Sequence, residues 1–356
     1  MAENRKKSYG ISLARVFCAF AIVAYHYATH VTTDINKIKF LNGDLGAAVV
    51  DIFFFISGYV IYMTYPKIES VKNFYYRRFI KLMPMFWLAF LAAYIDTSLT
   101  AQSLTWGGNP LTLIFTLLGM DGLMYGYTPD YYILGEWFLG AIIICYLVYP
   151  LLLKAFDKLK IWLPVILIVL CIPVLRMPVL NNHGHQNVLA CITLFTLGML
   201  LSRYQLLDNL YFKIGAIIAA AVTLFVKFPC NRIVPEALLG MGVLCVLYML
   251  GNQICKWEPV RKTVGFLDSI TYPVYLLHHL IILRYIYAIH PQGMPQHILV
   301  FISSTLIIIV LANVLRIFTN HVIAFFQGKR IGKQKAQTEM VGKADPLEAN
   351  GKASHE

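Results

Sequence analysis

The chain has 356 residues, is 58% hydrophobic and only 13% charged, and carries a net charge of +12. A soluble fold of this size cannot hide so much apolar surface, which excludes a soluble enzyme or binding domain. The basic excess is not a nucleic-acid footprint either, because its distribution follows membrane topology.

Hydropathy marks about ten apolar segments, near 10–30, 45–65, 79–98, 132–153, 160–176, 187–203, 211–228, 235–252, 266–288 and 297–320. They reach or approach the roughly 20 residues that span a bilayer. The expectation is an all-α, polytopic membrane protein of about ten transmembrane helices, embedded in a plasma or inner cell membrane. With both termini cytoplasmic, residues 1–9 form a cytoplasmic N-terminus, 10–328 the transmembrane domain and 329–356 a polar, disordered cytoplasmic tail. In this arrangement 22 Lys and Arg lie inside and five (Lys37, Lys39, Arg176, Lys227 and Arg232) lie outside, a strong positive-inside asymmetry. The segment 96–135 has no Lys or Arg, as an outer loop should.

The first segment, ISLARVFCAFAIVAYHYATH, is too long for a cleaved signal, contains Arg15 and lacks an A-x-A exit site. Arg15 and His26 are eleven residues apart, close to three helical turns, so they share a face and stand about 16 Å apart in depth. Ionisable groups are costly within a membrane helix, and such residues read as functional. His30 and Asp34 miss the soluble HxxxxD spacing by one residue and receive no role.

The second segment carries Asp51 about two turns below its outer end, at the depth of His26. The inner stretch 66–81 is basic and aromatic and predicts an interfacial amphipathic helix, with Pro84 near the start of the third span. Arg77, Arg78 and Lys81 cluster there, a set suited to phosphate. The Gly-, Tyr- and Pro-rich segment 100–131 contains an apolar piece at 111–120 that is short for a span and is re-entrant or interfacial. Glu136, about one turn into the fourth span, also falls at the depth of His26. A carboxylate that accepts an imidazole N–H fixes its tautomer and raises its basicity. Asp51 or Glu136 would thus make His26 a general base.

The outer pair His183 and His185 has no further ligand nearby in sequence. The seven cysteines contain no CxxC pair, so no metal is expected. In the ninth span, SITYPVYLLHHLII, Pro273 loosens the helix before His278 and His279. Adjacent residues point about 100° apart, and His278 is taken as the functional one of the two.

These residues, in this order, resemble the membrane acyltransferase-3 family, whose members acylate cell-surface glycans. Arg15, ten residues and His26 resemble its first-helix signature. VDIFFFISGYVI, with Asp51, Phe54, Ser57 and Gly58, resembles its second. RRFIKLMPMFW is similar to its inner RxxR motif, with Arg78 and Lys81 in the two basic positions. Lys81 keeps the charge but loses the bidentate fork. GEWFLGAIIICYLVYP resembles the WFL segment, and FTLGMLLSR and SITYPVYLLHH are also similar.

The resemblance implies an O-acyltransferase that moves an acyl group, acetyl in the first instance, from cytoplasmic acyl-CoA to a hydroxyl of a cell-surface or lipid-linked glycan. Arg15, Arg77, Arg78 and Lys81 would hold acetyl-CoA. His26, Asp51 and Glu136 would be catalytic, and His278, Trp137 and Ser57 would contact substrate. The additional periplasmic esterase-like domain of some members is expected to be absent. A proton-coupled transporter of a glycan or small anion is the competing reading, since carriers also use intramembrane His, Asp and Arg.

Overall fold

Each of the ten apolar windows contains a helix in the computed structural model. It describes residues 8–31, 39–124, 127–135, 137–175 and 187–343, with 329–343 as backbone only. Helix α1 (Tyr9–Val31) is followed by a two-rung antiparallel hairpin, β1 (Lys39–Phe40) and β2 (Gly43–Asp44). The hairpin delivers Asp44 as the N-cap of α2 (Leu45–Thr64), where its carboxylate accepts the Ala47 N–H at 3.1 Å. After α3 (Val71–Ala101) come a 3₁₀ turn at Pro110–Thr112, α4 (Leu113–Leu118) and α5 (Asp121–Met124). The remaining helices are α6 (Trp137–Leu159), α7 (Trp162–Val174), α8 (Val188–Arg203) and α9 (Leu210–Phe225), then α10 (Ile233–Ile254), α11 (Glu258–Ile289) and α12 (Gly293–Lys343).

Seven of these (α1, α2, α3, α6, α10, α11 and α12 to Gly328) are long and apolar enough to cross a bilayer. Helices α7, α8 and α9 are apolar but have 13, 16 and 16 residues, short of the usual ~17–25. The backbone of α12 stays helical to Lys343, past residue 328, where the sequence reading ends the membrane domain; 344–356 lie outside the described residues.

Burial separates centre from perimeter. The apolar windows of α2 and α10 are 61% and 56% buried, that of α12 only 22%. Leu306, Val310, Val314 and Phe318 on α12 are exposed, a lipid-facing pattern for a long apolar helix. Two glycines fix the tightest crossing. A Cβ on Gly58 of α2 would lie 1.8 Å from the Phe195 carbonyl oxygen of α8, and one on Gly198 of α8 would lie 2.1 Å from the Phe55 carbonyl oxygen of α2. The two backbones touch because neither helix carries a side chain there.

The interfacial helix and the third span expected around 66–98 are one element. α3 starts after Ser70, whose hydroxyl accepts the Asn73 N–H at 3.3 Å, and runs through Pro84. Pro84 is therefore interior and denies the Ile80 carbonyl its usual partner.

The connection after α3 packs back on it at Leu104 and Leu117. The Trp87 indole donates to the Leu117 carbonyl at 3.2 Å and the Tyr94 hydroxyl to Leu104 at 2.6 Å. The longest helix among its described residues, α4, has six residues, about 9 Å of rise, far too little to cross. Within it Asp121 is fully buried and accepts from the Thr116 hydroxyl at 3.0 Å. Burial is the main cause that pushes its carboxyl up to about 7; the Thr116 bond opposes this and the nearby Asp130 charge adds to it.

A carboxyl whose pKa is higher folded than unfolded binds more protons in the folded state. Its contribution to stability is therefore lost as pH rises from about 4 to about 7. We expect Asp121→Asn to raise the melting temperature by several degrees at pH 8, with the difference vanishing towards pH 4. Equal melting temperatures at pH 8 would contradict this account of Asp121.

Candidate active site

Helix α1 carries polar groups at both ends and is packed on α10 and α11. At its N-terminal end the Arg15 guanidinium meets the Asp268 carboxylate of α11 at 3.1 Å. The Ser12 hydroxyl donates to the other carboxylate oxygen at 2.9 Å. Arg78 of α3 donates to the Tyr65 hydroxyl at 3.1 Å and lies over two rings, 5.0 Å from the Tyr65 centroid and 5.9 Å from that of Tyr146. Lys81, one turn on, is exposed and lies within the electrostatic reach of Arg78, Arg15 and Asp268. Three cations thus lie near one carboxylate, a local excess of about two positive charges. Arg77 is exposed, and no contact joins it to this group among the described residues.

At the other end His26 faces α11. Its ring centroid is 5.1 Å from that of His278 and 5.0 Å from that of His279. His30, one turn along α1, lies 4.9 Å from His279. His278 is buried, and its Nδ1 lies 2.7 Å from the Tyr275 carbonyl oxygen. A carbonyl only accepts, so Nδ1 carries the hydrogen and Nε2 keeps a lone pair. That Nε2 is buried and has no hydrogen-bond partner. The Tyr275 hydroxyl in turn donates to the Gly135 carbonyl at 3.2 Å and accepts the Leu139 N–H at 3.3 Å. This joins α11 to the start of α6. Gly135 adopts φ +72°, and a Cβ there would lie 3.5 Å from the His279 ring.

A family model described as an acyltransferase domain, that of the acyltransferase-3 family, matches residues 8–316. The chain belongs to the acyltransferase-3 family. It is a membrane acyltransferase, and the match covers both ends of α1 and every helix that contributes to the two clusters. No curated protein and no solved structure matches the chain.

In this acyltransferase no contact joins Asp51 to His26 among the described residues, and Glu136 is not among them. Asp51 is buried on α2, 3.6 Å from where a Cβ on Gly240 of α10 would lie, and the charge acting on it is that of Glu236. Trp137 opens α6, with its ring edge-on to Phe138. Ser57 is half-buried on α2, beside Gly58. The sequence alone assigns no role to His30 or His279 and gives no signal for Asp268 or Tyr65. A signal existed for His30, because His26 and His30 stand four apart on one helix face. For Asp268 and Tyr65 the contacts are tertiary and leave no local mark.

Proposed function

We infer that this acyltransferase transfers an acetyl group from cytoplasmic acetyl-CoA to a hydroxyl of a cell-surface or lipid-linked glycan, with His26 as general base. One observation carries the reading: a cation cluster and a histidine cluster at opposite ends of the same helix, α1. The cations suit the phosphates of coenzyme A, and guanidinium groups are the stronger partners. Arg15, Arg78 and Lys81 would hold them at the cytoplasmic face, with Asp268 keeping Arg15 in place. About 16 Å of helix rise separates Arg15 from His26, a distance that an extended pantetheine arm would bridge. The ten helices would then be ten crossings with both termini inside, in the plasma or inner membrane, as the positive-inside count supports.

At the far end His26 takes the proton of the acceptor hydroxyl as its oxygen attacks the thioester carbonyl carbon. The tetrahedral intermediate collapses with cleavage of the C–S bond. The imidazolium then returns the proton to the departing thiolate. The products are the O-acetyl ester and free coenzyme A, so atoms and charge balance. The lone pair on His278 Nε2 would accept the second N–H of His26. It would fix the tautomer and support the imidazolium, a role that a carboxylate fills elsewhere.

Two experiments test the reading. Purified protein in proteoliposomes should release coenzyme A from acetyl-CoA only when a glycan acceptor is present. Glycan from cells that make the protein should be heavier by one acetyl group. Uptake of glycan without release of coenzyme A would favour a transporter instead. For the donor end, Arg78→Ala is expected to raise the KM for acetyl-CoA roughly 10- to 100-fold with kcat much less affected, the loss of one charged hydrogen bond. With a truncated thioester donor that lacks phosphates the variant should match the unsubstituted protein. An equal defect with both donors would remove Arg78 from phosphate binding.

A further inference from the structure

His26 and His30 are four residues apart on α1, so their rings stand on one face of the helix. His279 of α11 faces both, 5.0 and 4.9 Å away by ring centroids. One ring nitrogen from each of the three lies within 4.8 Å of the other two. Imidazole binds zinc at about 2.0–2.1 Å, so nitrogens around a tetrahedral ion stand about 3.4 Å apart. The remaining closure is within the range of χ rotation, and all three side chains are half-buried rather than locked in the core. His30 Nε2 is buried and without a hydrogen-bond partner. His278, by contrast, has Nδ1 committed to Tyr275. Three imidazoles with an open fourth position match the ligand set of zinc sites that keep an exchangeable ligand. Nitrogen donors alone select zinc, copper or nickel over magnesium or calcium.

We propose that His26, His30 and His279 form a binding site for a borderline divalent metal, zinc foremost, and that the bound metal switches off acyl transfer. It does so by occupying the nitrogen with which His26 would take the acceptor proton. Zinc therefore competes with the acceptor and not with acyl-CoA. The inhibitory half rests on His26 being the base; the binding half stands on geometry alone.

The test uses full-length protein in lipid nanodiscs, stripped with chelator and dialysed against zinc. Bound metal is counted by elemental mass spectrometry. Cobalt(II) absorption reports tetrahedral nitrogen ligation. One zinc per chain is expected, bound at least about tenfold more weakly after His30→Ala or His279→Ala. His30→Gln takes the place of the alanine variant where the latter is unstable. His30→Ala leaves His26 in place, so it should retain metal-free transfer and need at least about tenfold more zinc for half-inhibition. Absence of stoichiometric zinc, or undiminished affinity in both variants, overturns the site. Inhibition that is unchanged in His30→Ala, or that competes with acyl-CoA, overturns the competition. Should His26→Gln still transfer acyl groups while the unsubstituted protein binds one zinc, the base reading falls and the metal site stands.

Discussion

His26→Gln is expected to lower kcat for acyl transfer by about 10²–10⁴-fold, the usual worth of a positioned general base. Glutamine keeps a polar side chain of similar reach but offers no nitrogen that can take a proton at neutral pH. Nothing near Arg15, Asp268 or Arg78 changes, so the affinity for coenzyme A should stay within about twofold, since sites this far apart with no shared partners behave independently. The variant thus separates chemistry from donor binding. His278→Gln should give a smaller loss, because it removes only the partner that orients His26. Its amide still offers an acceptor, though not at a fixed tautomer. A His26→Gln protein that is folded and transfers at more than a tenth of the normal rate would take His26 out of the base role.

The second large effect is on folding. Gly58→Val would force three extra carbons into a crossing where even a Cβ would stand 1.8 Å from the Phe195 carbonyl oxygen. That atom belongs to the backbone of α8 and cannot swing aside as a side-chain tip would. The helices would have to separate, and the reciprocal contact of Gly198 with Phe55 would open with them. Overpacking within a well-filled core costs about 1–3 kcal/mol, and more when backbones are pushed apart. With typical stabilities of about 5–15 kcal/mol, little folded protein should survive. The expected result is loss of the monodisperse peak in detergent size exclusion and a melting temperature lowered by at least about 10 °C. Gly215→Val on α9 is the control, since nothing lies within 4 Å of a Cβ there. Equal melting of the two variants would contradict the crossing.

Hydropathy alone places a helix within each of the ten windows because an apolar run near bilayer length has few other stable forms in lipid. The pattern fared less well where two signals adjoin. The basic stretch before Pro84 and the apolar stretch after it look like separate elements, yet α3 is one helix of 31 residues. A proline interrupts one hydrogen bond, and packing on both sides carries the helix across it. In the candidate site the spacing of Arg15 and His26 was readable from helix geometry. What faces them was not. Depth in a membrane can be counted along a sequence, but the direction a neighbouring helix turns cannot. Asp51 illustrates the difference: it turns towards α10 and Glu236, and imidazoles from α11 stand opposite His26 instead. Asp268, ten residues before His278, was passed over because its partner Arg15 is more than 250 residues away in sequence.

In the proposed mechanism one helix links a donor site on one side of the membrane to an acceptor site on the other. Proteoliposomes of uniform orientation, with labelled acetyl-CoA confined to the Arg15 face and glycan acceptor to the His26 face, test it most directly. Labelled O-acetyl glycan is expected in that arrangement and none when the two compartments are exchanged. Product formed only when donor and acceptor share a compartment would contradict it.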